Sequence, residues 1–193
     1  MGGQLEDRAR QAITVAVTAV GRREPLRLGR VPHGHARAIA LDVVEPAVAV
    51  VTTLLREIES GRYVAADVFL AKPSGISGWV CPMGIINLGP WDEAAFSQAK
   101  DTWKSSVTPV TNLHLGGHSG SAVERTKPRP GYRWVSGIAA SSVTSVELTG
   151  AHNTRRVSPG VGGAFVAVVA GDLSEDMAVT AFTRKGLALP IDT

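Results

Sequence analysis

The sequence predicts an α+β protein, mostly β, with a C-terminal antiparallel β-sandwich-like module and two helices in the N-terminal part. Three observations predict it. Short apolar runs rich in Val, Ala and Thr recur along the chain, and such branched side chains suit a pleated surface. Beyond Tyr132, Gly-, Pro- and Asn-rich breaks separate these runs, at the spacing of roughly 8–12 residues typical of small all-β modules. After Pro46 the apolar period instead fits a helix. The expected organisation is a mixed strand and helix region over 1–107, a loop or linker over 108–131, and an all-β module over 132–193.

Taken in order, the first segment supports two readings. Glu6 to Gln11 looks like a helix start, whereas Ile13 to Val20 alternates branched and small residues as strands do. Gly21 to Pro25 forms a turn, with Leu26, Leu28 and Val31 following as a short strand. Ala36 to Val44 is the next strand, with Ile39, Leu41 and Val43 on one face. Pro46 suits the first position of a helix. Val48, Val51, Leu55 and Ile58 then recur at helical spacing, and Gly61 supplies the stop. Tyr63 to Ala71 reads as a buried strand. A second helix is expected after Trp91, with Asp92 as N-cap, Trp91 and Phe96 as a hydrophobic staple, and an end near Lys104 or Ser105.

From Thr108 to Gly131 the chain is polar, Gly-rich and broken by Pro109, Pro128 and Pro130, as a linker or long loop would be. Strands follow at Trp134–Ala139, Val143–Leu148, Thr154–Val157, Ala164–Ala170, Met177–Phe182 and Leu187–Leu189. The run Val143-x-x-Val-Glu-Leu148, then Gly163-Ala-Phe-Val166, Val179-Thr-Ala-Phe182 and Lys185-Gly-x-x-Leu189 resembles a C-terminal β domain of uncharacterised actinobacterial proteins. The resemblance covers the last third of the chain and implies the fold without implying an activity. Many proteins of that kind are secreted or membrane-anchored, whereas this sequence shows no export signal.

Composition narrows the class. A hydrophobic share of 44% with 19% charged residues over 193 positions is that of a globular chain able to bury a core. Aromatics make up only 5%, so that core must be aliphatic. The formal charge of +3 is too small for a dedicated nucleic-acid binder. The excess of Arg over Lys, with abundant Ala, Gly and Val, fits a GC-rich, actinobacterial coding sequence. Cys81 is the single cysteine, which rules out an intrachain disulfide, and with no basic neighbour it is expected to be inert.

The N-terminus from Met1 to Arg10 lacks the order of a signal peptide, and Met1 itself speaks against a removed leader. Asp42, Glu45 and Pro46 interrupt the apolar stretch that might otherwise suggest a membrane span. A soluble, cytoplasmic protein is expected, with a secreted form left open.

Four groups of residues could carry chemistry. Gly117-His118-Ser119-Gly120 approaches a nucleophile elbow, although Ser121 stands where glycine is needed and prolines follow in place of a helix. The stretch also resembles the serine loop of trypsin-like proteases, with His118 where that loop has aspartate. As a catalytic alternative it would use Ser119 with His118 or His114 as base, and no third member can be nominated. His33 and His35 would share one face of a strand, and His114 and His118 are four apart, but no thiolate or carboxylate cluster completes a metal site. Arg129, Tyr132, Arg133 and Trp134 combine cations with aromatics as a binding surface can. Trp79, Trp91 and Trp103 read more simply as core.

The expectation is a non-enzymatic interaction or assembly protein that recognises another protein, or itself, through loops or edges of the β module. No cofactor is expected and nucleic acid is disfavoured.

Overall fold

The computed structural model describes residues 2–22, 26–45, 48–73, 75, 77–82, 85–90, 109–118 and 131–191. Among these residues it holds one helix, α1 (Gly2–Arg22), and eleven strands. Strands β1 (Ala36–Glu45), β2 (Val48–Arg56), β3 (Tyr63–Ala71) and β4 (Ile85–Pro90) form one sheet in sequence order. A second sheet has the order β5 (Val110–His118), β6 (Tyr132–Ala139), β9 (Ala164–Ala170). The third runs β11 (Ala188–Ile191), β10 (Ala178–Thr183), β7 (Val143–Thr149), β8 (Thr154–Val157). All of these pairings are antiparallel.

Side-chain alternation stacks the elements in layers. Ala12, Ala16, Ala19 and Val20 of α1 pack on Ala49, Val51, Ala66, Val68 and Leu70 of the first sheet. That sheet's other face sends Val50, Leu54, Ala65 and Phe69 against Trp134, Ile138, Val166 and Val168 of the second. The second sheet's far face, with Val135, Phe165, Ala167 and Val169, packs on Val146, Leu148, Val179 and Ala181 of the third. Strands β2, β6 and β9 are thus enclosed on both sides, and their sequences are nearly continuous apolar runs.

This explains the main departure from expectation. The segment from Pro46 to Gly61 was expected to be a helix, but β2 occupies Val48–Arg56 and is paired along its length with β1 and β3. A strand buried on both faces is apolar at every position, so it satisfies a helical period as readily as any other. The branched content of Val48-Ala-Val-Val-Thr-Thr53 then favours the strand. The second expected helix, after Trp91, lies outside the described residues.

Conversely, Ile13–Val20, which alternates like a strand, is helical. Thr14 and Thr18 donate their hydroxyls to the carbonyls four residues back, Arg10 and Thr14, at 2.9 and 2.8 Å. Their polar groups are therefore satisfied within the helix, while the alanines every three or four residues let it lie close to the sheet. Leu26, Leu28 and Val31 form no strand; an isolated bridge joins Arg27 to Val161. Within the stretch read as a linker, Val110–His118 is strand β5, paired with β6 from Val110–Ala139 to His118–Tyr132. Among the described residues, no helix is long and apolar enough to cross a membrane.

Candidate functional site

Between the first two sheets lies a polar cluster within an otherwise apolar layer. Asp67 stands mid-strand in β3, is 2% exposed, and points at the second sheet. Its Oδ1 accepts from the Thr52 hydroxyl of β2 at 2.7 Å. Its Oδ2 accepts from the Ser136 hydroxyl at 2.8 Å and from the Trp134 indole N–H at 3.2 Å. Thr52 and Ser136 are themselves buried. His114 of β5 is the register partner of Ser136, which places it beside the same carboxyl. Burial pushes the Asp67 carboxyl above its ordinary value, against the opposing pull of the Thr52, Ser136 and Trp134 hydrogen bonds and of His114.

The aromatic end of the same layer is built on Phe69. Its ring stacks on Trp134 with centroids 5.9 Å apart and meets His118 at 4.8 Å. Burial lowers the His118 pKa, so the imidazole is neutral at physiological pH. Among the described residues, His114 Nε2 and His118 Nδ1 meet no hydrogen-bond partner. Gly116 stands between them on β5 opposite Trp134, and the indole occupies the space a side chain there would need.

A second buried carboxylate ties the layers together. Asp42 of β1 is 4% exposed and receives Arg155 of β8 through Nε at 3.1 Å and Nη2 at 2.5 Å, plus the Val168 amide of β9 at 3.0 Å. One side chain thereby links all three sheets. The bidentate fork satisfies the charge that burial would otherwise penalise.

Of the residues singled out from the sequence, His114 and His118 share one face of β5, whereas Ser119 and Arg129 lie outside the described residues. Tyr132 and Trp134 are core residues at 6% and 0% exposure, so their rings face Phe69 rather than solvent. Arg133, the next residue along β6, is half-buried. His33 and His35 sit in the turn ahead of β1 and not on a strand, separated by Gly34 in a left-handed conformation. Among the described residues, no group of three or more metal-ligating side chains gathers.

Sequence reasoning missed Asp67, Ser136 and Asp42. The available signal was a lone carboxylate inside an apolar strand, since such a residue almost always has a partner.

The accessible chemistry lies on the third sheet. Its inner residues are buried and its outer ones alternate to solvent. On that outer face the Arg156 guanidinium lies 3.9 Å from the Phe182 ring centroid and donates through Nε to Ser145 at 2.9 Å. Ser145 is the register partner of Phe182, and Glu147 that of Arg156. Thr149 and Thr154 extend the face toward the β7–β8 hairpin. No family model, curated protein or solved structure matches this chain.

Proposed function

We propose that the protein is a non-enzymatic recognition or assembly protein that binds another protein through the outer face of the third sheet. One observation carries this reading. That face presents an arginine laid over an aromatic ring, surrounded by threonine, serine and a carboxylate. Arginine and aromatic side chains are the types that anchor protein interfaces, and a polar surround excludes water around them. The opposing fact is equally physical. The convergent polar groups around Asp67 are sealed from solvent, which suits them to holding sheets together rather than meeting a substrate. Among the described residues Arg156 stands opposite Glu147 and no basic stripe forms on this face, so a protein suits it better than nucleic acid.

The test compares affinity capture by the full chain with capture by the Arg156→Glu/Phe182→Thr variant, side by side from one lysate. A protein retained by the wild type and reduced at least about tenfold with the variant is expected, since two anchors are removed. Equal recovery by both would remove the face from consideration. Self-association through it would appear as a concentration-dependent mass in light scattering that the variant abolishes.

A second reading, hydrolysis at Ser119, is favoured by one placement. His118 precedes that serine, and His114 on the same strand face stands beside Asp67, which would give the missing third member. The carboxyl oxygens, however, are occupied by Thr52, Ser136 and Trp134. Under the recognition reading, a fluorophosphonate probe leaves the intact mass unchanged; an adduct mapped to Ser119 would favour the hydrolase instead.

A further inference from the structure

On the opposite side of the layered molecule, α1 and the start of β1 enclose a groove of about 490 Å³. Three arginines line it: Arg22 at the end of the helix, Arg27 in the following connection, and Arg37 on β1. All three are exposed. Among the described residues, the lining contains no carboxylate. The floor is apolar, formed in part by Val15, Ala19 and Leu26. Thr14 and Thr18 stand along the helix wall, with their hydroxyl protons already given to helix carbonyls. Arg10 precedes Thr14 by one turn and extends the basic stripe along the same helix face. From Arg10 to Arg22 the helix rises about 18 Å, which matches about five residues of extended peptide.

We propose that this groove is a docking site for an extended acidic segment of a partner protein, with apolar residues set between its carboxylates. Cations on the rim and aliphatic side chains on the floor match that alternation: carboxylates reach the guanidinium forks while the residues between them desolvate against Val15, Ala19 and Leu26. Nucleic acid fits less well. The described lining offers no aromatic ring on which a base could stack. Arg27 and Arg37 have no acidic partner among the described residues, so engaging these two breaks no ion pair described there. The site is separate from the outer face of the third sheet and stands or falls independently of it.

The test is fluorescence anisotropy of the full chain with a labelled synthetic peptide alternating glutamate and leucine, alongside a labelled single-stranded oligonucleotide. Three proteins are compared: wild type, Arg27→Glu/Arg37→Glu in the groove, and Arg184→Glu/Lys185→Glu in the exposed β10–β11 turn. The two variants change net charge equally, and circular dichroism checks that each is folded. Wild type and turn variant are expected to bind the peptide alike, with affinity falling as salt is raised. The groove variant is expected to bind about tenfold more weakly or worse. Should the groove variant prove misfolded, Arg27→Gln/Arg37→Gln replaces it and must show a loss in the same direction. Equal weakening in both charge-reversed variants, no peptide binding by the wild type, or tighter binding of the oligonucleotide would each overturn the proposal.

Discussion

Replacing Asp67 by alanine is expected to destabilise the fold by about 3–5 kcal/mol, whereas asparagine at the same position is expected to be tolerated. The difference lies in what each substitution leaves behind. Alanine removes the acceptor for Thr52, Ser136 and Trp134 at once. Hydroxyl groups can turn toward another acceptor, but an indole N–H can only donate and is held by its ring. Each buried donor left unmet costs about 1–3 kcal/mol. Asparagine keeps an oxygen for Ser136 and Trp134 and turns its amide toward the Thr52 oxygen, which can accept. Thermal unfolding measures the pair, and for a chain of this size the alanine variant should melt about 10 °C or more below the asparagine one. Similar melting of the two would mean that the cluster is not held by its hydrogen bonds.

The same carboxyl sets a pH dependence whose sign follows from its raised pKa. Between the unfolded value of about 3.8 and the higher folded value, the native state holds a proton that the unfolded chain has released. Stability from this group therefore falls as pH rises through that window and stays at the lower level above it. Asparagine does not titrate. The stability of Asp67→Asn relative to wild type is thus expected to increase as pH is raised from about 4 and then to level off. A difference that is flat with pH would show that the hydrogen bonds offset burial, and one that shrinks on raising it would show that they outweigh burial and hold the carboxyl ionised.

What the sequence made legible follows from how local each signal is. Strand β8 (Thr154–Val157) and strand β9 (Ala164–Ala170) were predicted with their observed bounds, because Gly150 to Asn153 and Gly160 to Gly163 bracket them with turn residues. Tyr63–Ala71 was similarly framed by Gly61 and Pro73. Strand β2 was misread because burial on both faces erases the alternation that identifies a strand. Helix α1 was ambiguous because its buried face is alanine, the least conspicuous apolar residue in a periodic pattern.

The interior cluster was harder still. Asp67 lies 69 positions before Ser136 and 15 after Thr52, and nothing in a local window announces that three sheet positions will converge. Trp134 and Tyr132 beside Arg133 looked like a surface motif when read along the chain. Pairing of β6 with β5 and β9 instead turns both rings inward.

Gly116 is a point where backbone and core constrain each other tightly, and Gly116→Ala is expected to cost about 3 kcal/mol. A Cβ there would lie 2.2 Å from the Trp134 ring, well inside van der Waals contact. The ring cannot retreat, because Trp134 is fully buried, stacked on Phe69 and tied through its N–H to Asp67. Overpacking of a well-filled core costs about 1–3 kcal/mol, and a rigid neighbour places this site at the upper end. Trp134→Leu, made alone, should cost at least as much, through the cavity it opens and the indole donor it removes. The two changes combined should cost less than their sum, since leucine vacates the volume that the new methyl group needs. A coupling of about 1–2 kcal/mol in the double-mutant cycle is therefore expected. Simple additivity would mean that β5 moves away from β6 when Gly116 is replaced. The register that carries His114 and His118 to the Asp67 and Phe69 ends of the cluster would then be set by something other than the fit of Trp134 over Gly116.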